Sequence, residues 1–129
     1  MKSLKVESKL VYHNVNPEHK EINDCVCRAI SLASGMDYEE VEDKLFFSAK
    51  LLDCEKLCVC CYSFLLDKYF GFKRVDARGM SINEFAEKHP RGIYILRVNQ
   101  HLSCVIDGFI HDIWDCGEEI ITDAWITEY

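Results

Sequence analysis

The hydrophobic pattern of this chain changes period at Pro90. Before it, apolar residues recur at the spacing of amphipathic helices. After it, the segments GIYILRV, HLSCVID, FIHDIWD and EIITDAWITEY are rich in β-branched and aromatic residues. Segregation of this kind points to an α+β domain in which N-terminal helices pack on a C-terminal antiparallel sheet. A length of 129 residues suits one core, and with two prolines and no linker-like tract the punctuation marks element ends only. The expected organisation is a single domain over 1–129: an arm or strand over 1–22, a mainly helical region over 23–89 and antiparallel strands over 91–129.

The helices can be placed by their caps. Asn23 or Asp24 opens the first, Val26, Ala29, Ile30 and Ala33 follow at helical spacing, and Gly35 stops it. Asp37 and Glu40 open a second, whose Val41, Leu45, Ser48 and Leu52 form an expected buried stripe. A third is expected from about Glu55 to Tyr69, ahead of Gly71. Ser81 and Glu84 form a capping box for a short fourth, which ends at His89-Pro90. Phe46, Phe47, Phe64, Tyr69 and Phe70 are expected in the core. Among the strands, Asp107-Gly108 is a strong two-residue hairpin signal. With that turn, His101 faces Trp114 and Ser103 faces Asp112, all on one side of the hairpin.

The net charge is −7 with no basic cluster, which argues against binding a nucleic-acid backbone or an anionic membrane. No apolar run reaches the ~18 residues of a spanning helix. The first residues also lack the apolar core of a secretion signal, so the expected address is cytoplasmic. In that compartment the eight cysteines read as free thiols, metal ligands or a catalytic thiol rather than a disulfide framework.

Cys25 stands at the start of the first helix, where unpaired N–H groups and the helix dipole favour thiolate over thiol. A nucleophilic cysteine also needs a base, and His101 at a strand start supplies one. Asp112, diagonal to His101 across the hairpin, lies within reach to orient the imidazole and stabilise its charged form. Asp115 points to the opposite face and is the reserve third member. His111 falls on the face away from His101, and Cys27 is expected at or near the core. Arg28, one turn beyond Asp24, is placed to pair with it. Cys54, Cys58 and Cys61 fall on one possible helix face with Cys60 beside them. The preferred reading there is a buried stripe of small thiols, with zinc the rival, so no metal ligand is assigned.

Taken together, Asn23-Asp-Cys25-Val-Cys-Arg28-Ala29, Lys88-His-Pro-Arg-Gly92-Ile-Tyr94, His101, Asp107-Gly108 and Asp112-Ile-Trp114-Asp115 resemble small phage and bacterial proteins with a papain-like cysteine peptidase fold. The similarity runs from about residue 21 to Trp125. It implies Cys25 as nucleophile, His101 as base, Asp112 as orienting residue, a peptide or protein substrate, and no cofactor. Papain-like enzymes usually carry an oxyanion-binding Gln several residues before the nucleophile, and none precedes Cys25 here. Asn23 is the candidate in its place, with the Cys25 backbone N–H. The expected function is thus hydrolysis of a peptide, isopeptide or other amide bond through a thioester. The rival is a catalytically weak binding module on the same scaffold, of phage origin and engaging a host protein.

Overall fold

A computed structural model describes residues 8–55 and 57–127. The expected arm over 1–22 and the final strand extend in part into residues outside this range, as does residue 56 of the expected third helix.

Helix α1 covers Cys25–Ser34 and ends at Gly35, whose φ of 76° closes the left-handed cap that its lack of a Cβ permits. Helix α2 covers Tyr38–Leu52. It buries Val41, Leu45, Ser48 and Ala49, but Leu52 is exposed, because the stripe drifts off the contact face in the last turn. Helix α3 is shorter than the sequence suggests. It covers Val59–Phe64 and passes into a π-helical turn over Leu65–Tyr69, while residues before Val59 form turns, with Cys58 N–H bonded to Glu55 O. Helix α4, Ile82–Lys88, has both bonds of its Ser81/Glu84 capping box. None of the described helices is long and apolar enough to cross a membrane.

Six strands are present among the described residues: β1 (Leu10–Tyr12), β2 (Lys73–Arg74), β3 (Ile93–Val98), β4 (His101–Ile106), β5 (Phe109–Asp112) and β6 (Asp123–Ile126). Their order in the sheet is β1-β5-β4-β3-β6-β2. The α+β class stands, but the sheet is mixed, since β1 runs parallel to β5. The alternation in its sequence carries no information about strand direction. Residues 113–122 also form no long strand. This segment caps α4, accepting from Ile82 N–H at Glu119 O and from Asn83 N–H at Gly117 O, two donors that have no partner within the helix.

Hydrophobic residues gather in two clusters. Alternation along β3 sends Ile95 to one, with α1, α2, α3, Leu102 and Trp125, and sends Tyr94, Leu96 and Val98 to the other, with Phe85 of α4 and Ile110. β3 thus lies at the centre of the fold, buried on both faces. Next to it, β4 begins with His101.

Candidate active site

The β4–β5 hairpin has the register read from the sequence, with Cys104 opposite His111 and Ile106 opposite Phe109. Asp107 and Gly108 both take positive φ, 49° and 84°, which matches the turn to the right-handed strand twist. Beyond the paired residues the same register brings Ser103 to Asp112 and His101 to Trp114. Ser103 Oγ donates to Asp112 Oδ2 at 2.6 Å, and the His101 and Trp114 rings meet edge to face, 4.9 Å apart.

His101 Nε2 bonds Asp112 Oδ2 at 2.7 Å. With Nε2 committed there, Nδ1 is the ring nitrogen left to Cys25, the first residue of α1, which is 8% exposed. Burial alone would push the Cys25 thiol up. The bond to His101, the Leu102 backbone N–H, and the charges of His101 and Arg28 outweigh it and hold the thiol below its ordinary value. Burial also disfavours a charged imidazole, yet bonds to Asp112, Cys116 and Cys25 hold His101 up at about 11. Asp112 behaves in the complementary way: burial raises it, and His101, Ser103 and Arg28 bring it down to about 2. The arrangement therefore favours a thiolate beside an imidazolium backed by a carboxylate.

Behind the triad lies a buried polar chain. Arg28 Nη1 donates to Asp112 Oδ1 at 2.9 Å, and Arg28 Nε donates to Asp24 Oδ1 at 2.6 Å. Asp24 Oδ2 accepts from Asn16 Nδ2 at 3.0 Å and Tyr38 Oη at 2.8 Å. Asp112 Oδ1 also accepts the Ile113 N–H at 2.7 Å. The helix that carries Cys25 and the strand that carries Asp112 are thereby tied by one guanidinium.

Cys25 and His101 open onto a cleft of about 360 Å³ that is also lined by Asn23, Tyr62, Arg97 and Gln100. A larger concavity, about 620 Å³, lies between α2 and the π-helical turn. Its lining includes Asp43, Lys44, Ser48 and Lys68 but no cysteine or histidine, so the thiol–imidazole pair belongs to the smaller cleft.

Cys25, His101 and Asp112 are thus brought together, and Asn23 reaches the same cleft. Asp115 is not brought to His101; it accepts from Ser8 Oγ and Gly117 N–H. His111 lies off the triad, its Nδ1 3.0 Å from His13 Nδ1, and Cys27 is buried. The sequence reading missed the second limb of Arg28, the placing of Gln100 in the cleft, and Cys116, whose Sγ donates to Asp112 Oδ2 at 3.8 Å. The only sequence signal for Gln100 was its place beside Asn99 between two strand-like segments; in the structure it occupies the two-residue turn between β3 and β4, with φ at 57°. His101, Asp112 and Cys116 have ligand atoms within 4.8 Å of one another. A cation there would compete with Arg28 for Asp112. Compared with known proteins, the chain matches no family model, no curated protein and no solved structure.

Proposed function

We propose that the chain is a cysteine hydrolase of amide bonds in peptide or protein substrates, working as the papain-like enzymes it resembles do. The supporting observation is the Cys25–His101–Asp112 relay at the mouth of a cleft. The Cys25 thiolate attacks the carbonyl carbon and the electron pair moves onto oxygen. The Cys25 backbone N–H at the helix start, with the Asn23 amide at the same cleft, would receive that oxyanion. His101 passes its proton to the leaving amine, the C–N bond breaks and a thioester remains. Water then attacks the thioester while His101 takes its proton, and Cys25 departs as thiolate. An amine in place of water would make the same site an acyl transferase.

The test is the pH dependence of alkylation at each cysteine, resolved by mass spectrometry on the native protein. Cys25 should react well below the ordinary thiol value of ~8.5. In folded His101→Ala that low-pH reactivity should fall at least tenfold, and Cys25→Ala should end turnover of a fluorogenic amide substrate. If Cys25 titrates as an ordinary thiol, or turnover survives Cys25→Ala, the hydrolase reading is wrong. The scaffold is then better read as a binding module.

A further inference from the structure

Cys54, Cys58 and Cys60 sit together away from the triad, with their Sγ atoms all within 4.8 Å of one another and Cys58 Sγ 3.1 Å from Cys60 Sγ. The sequence pattern suggested a buried helical stripe containing Cys61, but of the four thiols only Cys61 is buried. Cys61 is fully buried in α3 and donates its S–H to Leu45 O at 3.4 Å. Cys58 and Cys60 are exposed, so core packing does not explain them, while Cys54 is half-buried at the edge of the core. Three neighbouring surface thiols are a liability to oxidation unless something occupies them.

We propose that Cys54, Cys58 and Cys60 form a binding site for a divalent d10 cation of the zinc type. A tetrahedral ion with Zn–S bonds of ~2.3 Å holds its sulfurs roughly 3.8 Å apart, a spacing these thiols already approach. Thiolate is also the donor that selects such an ion over magnesium or calcium. The backbone sets the three residues in place from two sides. Cys54 N–H is tied to Ala49 O in the last turn of α2, and Cys58 O accepts from Cys61 N–H and Tyr62 N–H at the start of α3. The ion would clasp the end of one helix to the beginning of the next, and each thiol that ligates it would lose its proton to solvent. Among the described residues no fourth His, Cys, Asp or Glu joins at this spacing, leaving the last position to water or an incoming ligand. The clasp also bears on the cleft, because Leu57 and Val59, threaded between the cysteines, line it. The metal site itself does not depend on the hydrolase reading.

The test uses Co²⁺ as a spectroscopic probe on the reduced full chain. One equivalent should give near-ultraviolet thiolate-to-cobalt absorption with tetrahedral visible bands, and Zn²⁺ should displace it. Cys58→Ser and Cys60→Ser, with folding checked by circular dichroism, should each weaken Co²⁺ binding by more than ~100-fold, the upper range for losing an outer-shell partner. Cys25→Ser should leave the spectrum unchanged. In the unsubstituted protein, Zn²⁺ should shield Cys58 and Cys60 from alkylation, a readout that needs no variant. Absence of the cobalt spectrum, its survival in both Cys58→Ser and Cys60→Ser, or its loss only in Cys25→Ser would overturn the proposal.

Discussion

Arg28 carries one guanidinium to two carboxylates, Asp24 and Asp112, and is only 4% exposed. Burying three charges is costly unless every one is paired, and here the planar fork of Arg serves both anions at once. Removing it leaves Asp24 a buried charge with no cation beside it and Asp112 with His101 as its remaining cation. Arg28→Met should therefore lower stability by about 3–5 kcal/mol, measured as a shift of the urea midpoint. Arg28→Lys keeps the charge but not the fork, so it should recover part of the stability while leaving Cys25 less reactive at low pH. A Lys variant equal to the original in both respects would mean that charge alone matters there. Half of this arrangement was legible in the sequence. The Arg28–Asp24 limb follows from one helical turn of spacing, whereas the Asp112 limb joins residues 84 positions apart and exists only once α1 has docked.

At the scale of elements, the hairpin is the part the sequence specified best. Two residues needing positive φ were supplied as Asp-Gly, and the register of the flanking strands then followed, carrying Asp112 to His101. Gly108 is held there by space as well as by conformation: a Cβ on it would come within 3.3 Å of Ala86 O and Pro90 Cα, both backbone atoms. Gly108→Ala should cost at least ~1–2 kcal/mol from the left-handed conformation alone. By loosening the hairpin it should also slow alkylation of Cys25, although residue 108 does not line the cleft. Unchanged Cys25 reactivity in a folded Gly108→Ala would show that the hairpin turn does not set the triad. The helical region was less legible. Phe46, Phe47 and Tyr69 have the composition of a core but are 66%, 68% and 53% exposed: α2 turns only one face to the rest of the domain and Phe46 and Phe47 lie off it, while Tyr69 ends the π-helical turn. Hydrophobic identity without phase cannot distinguish those positions. The start of α3 was misplaced for a related reason: thiols at helical spacing resemble a buried stripe, yet Cys54 and Cys58 lie in the turns that precede the helix.

For the whole molecule, the site is a junction between the two ends of the chain. Asn16 comes from the loop before α1, Asp24, Arg28 and Tyr38 come from the helical part, and His101, Ser103 and Asp112 come from the sheet, in one connected set of bonds. The protonation of the site is thereby linked to the stability of the whole fold, with a sign fixed for each group. Asp112 falls from 3.8 to about 2 on folding, so its contribution is present above pH 3.8 and is lost as the pH drops through 2. His101 rises from 6.5 to about 11, so its contribution is complete below pH 6.5 and is lost as the pH climbs through 11. Cys25, held below its ordinary value, works in the opposite sense and offsets part of the alkaline loss. The urea midpoint should therefore be highest between pH 4 and 6.5 and should fall on both sides. Asp112→Asn removes the charge that sustains the imidazolium, so the variant should be less stable near pH 5 and should show a shallower alkaline decline. Circular dichroism, tryptophan fluorescence and the alkylation rate of Cys25 should report one coincident transition, since Trp125 lies in the same cluster as Cys25 and Trp114 stacks edge-on to His101. A Cys25 that loses its reactivity well before the fold does would separate the site from the core. An alkaline limb unchanged in Asp112→Asn would show that His101 draws its charge stabilisation from elsewhere.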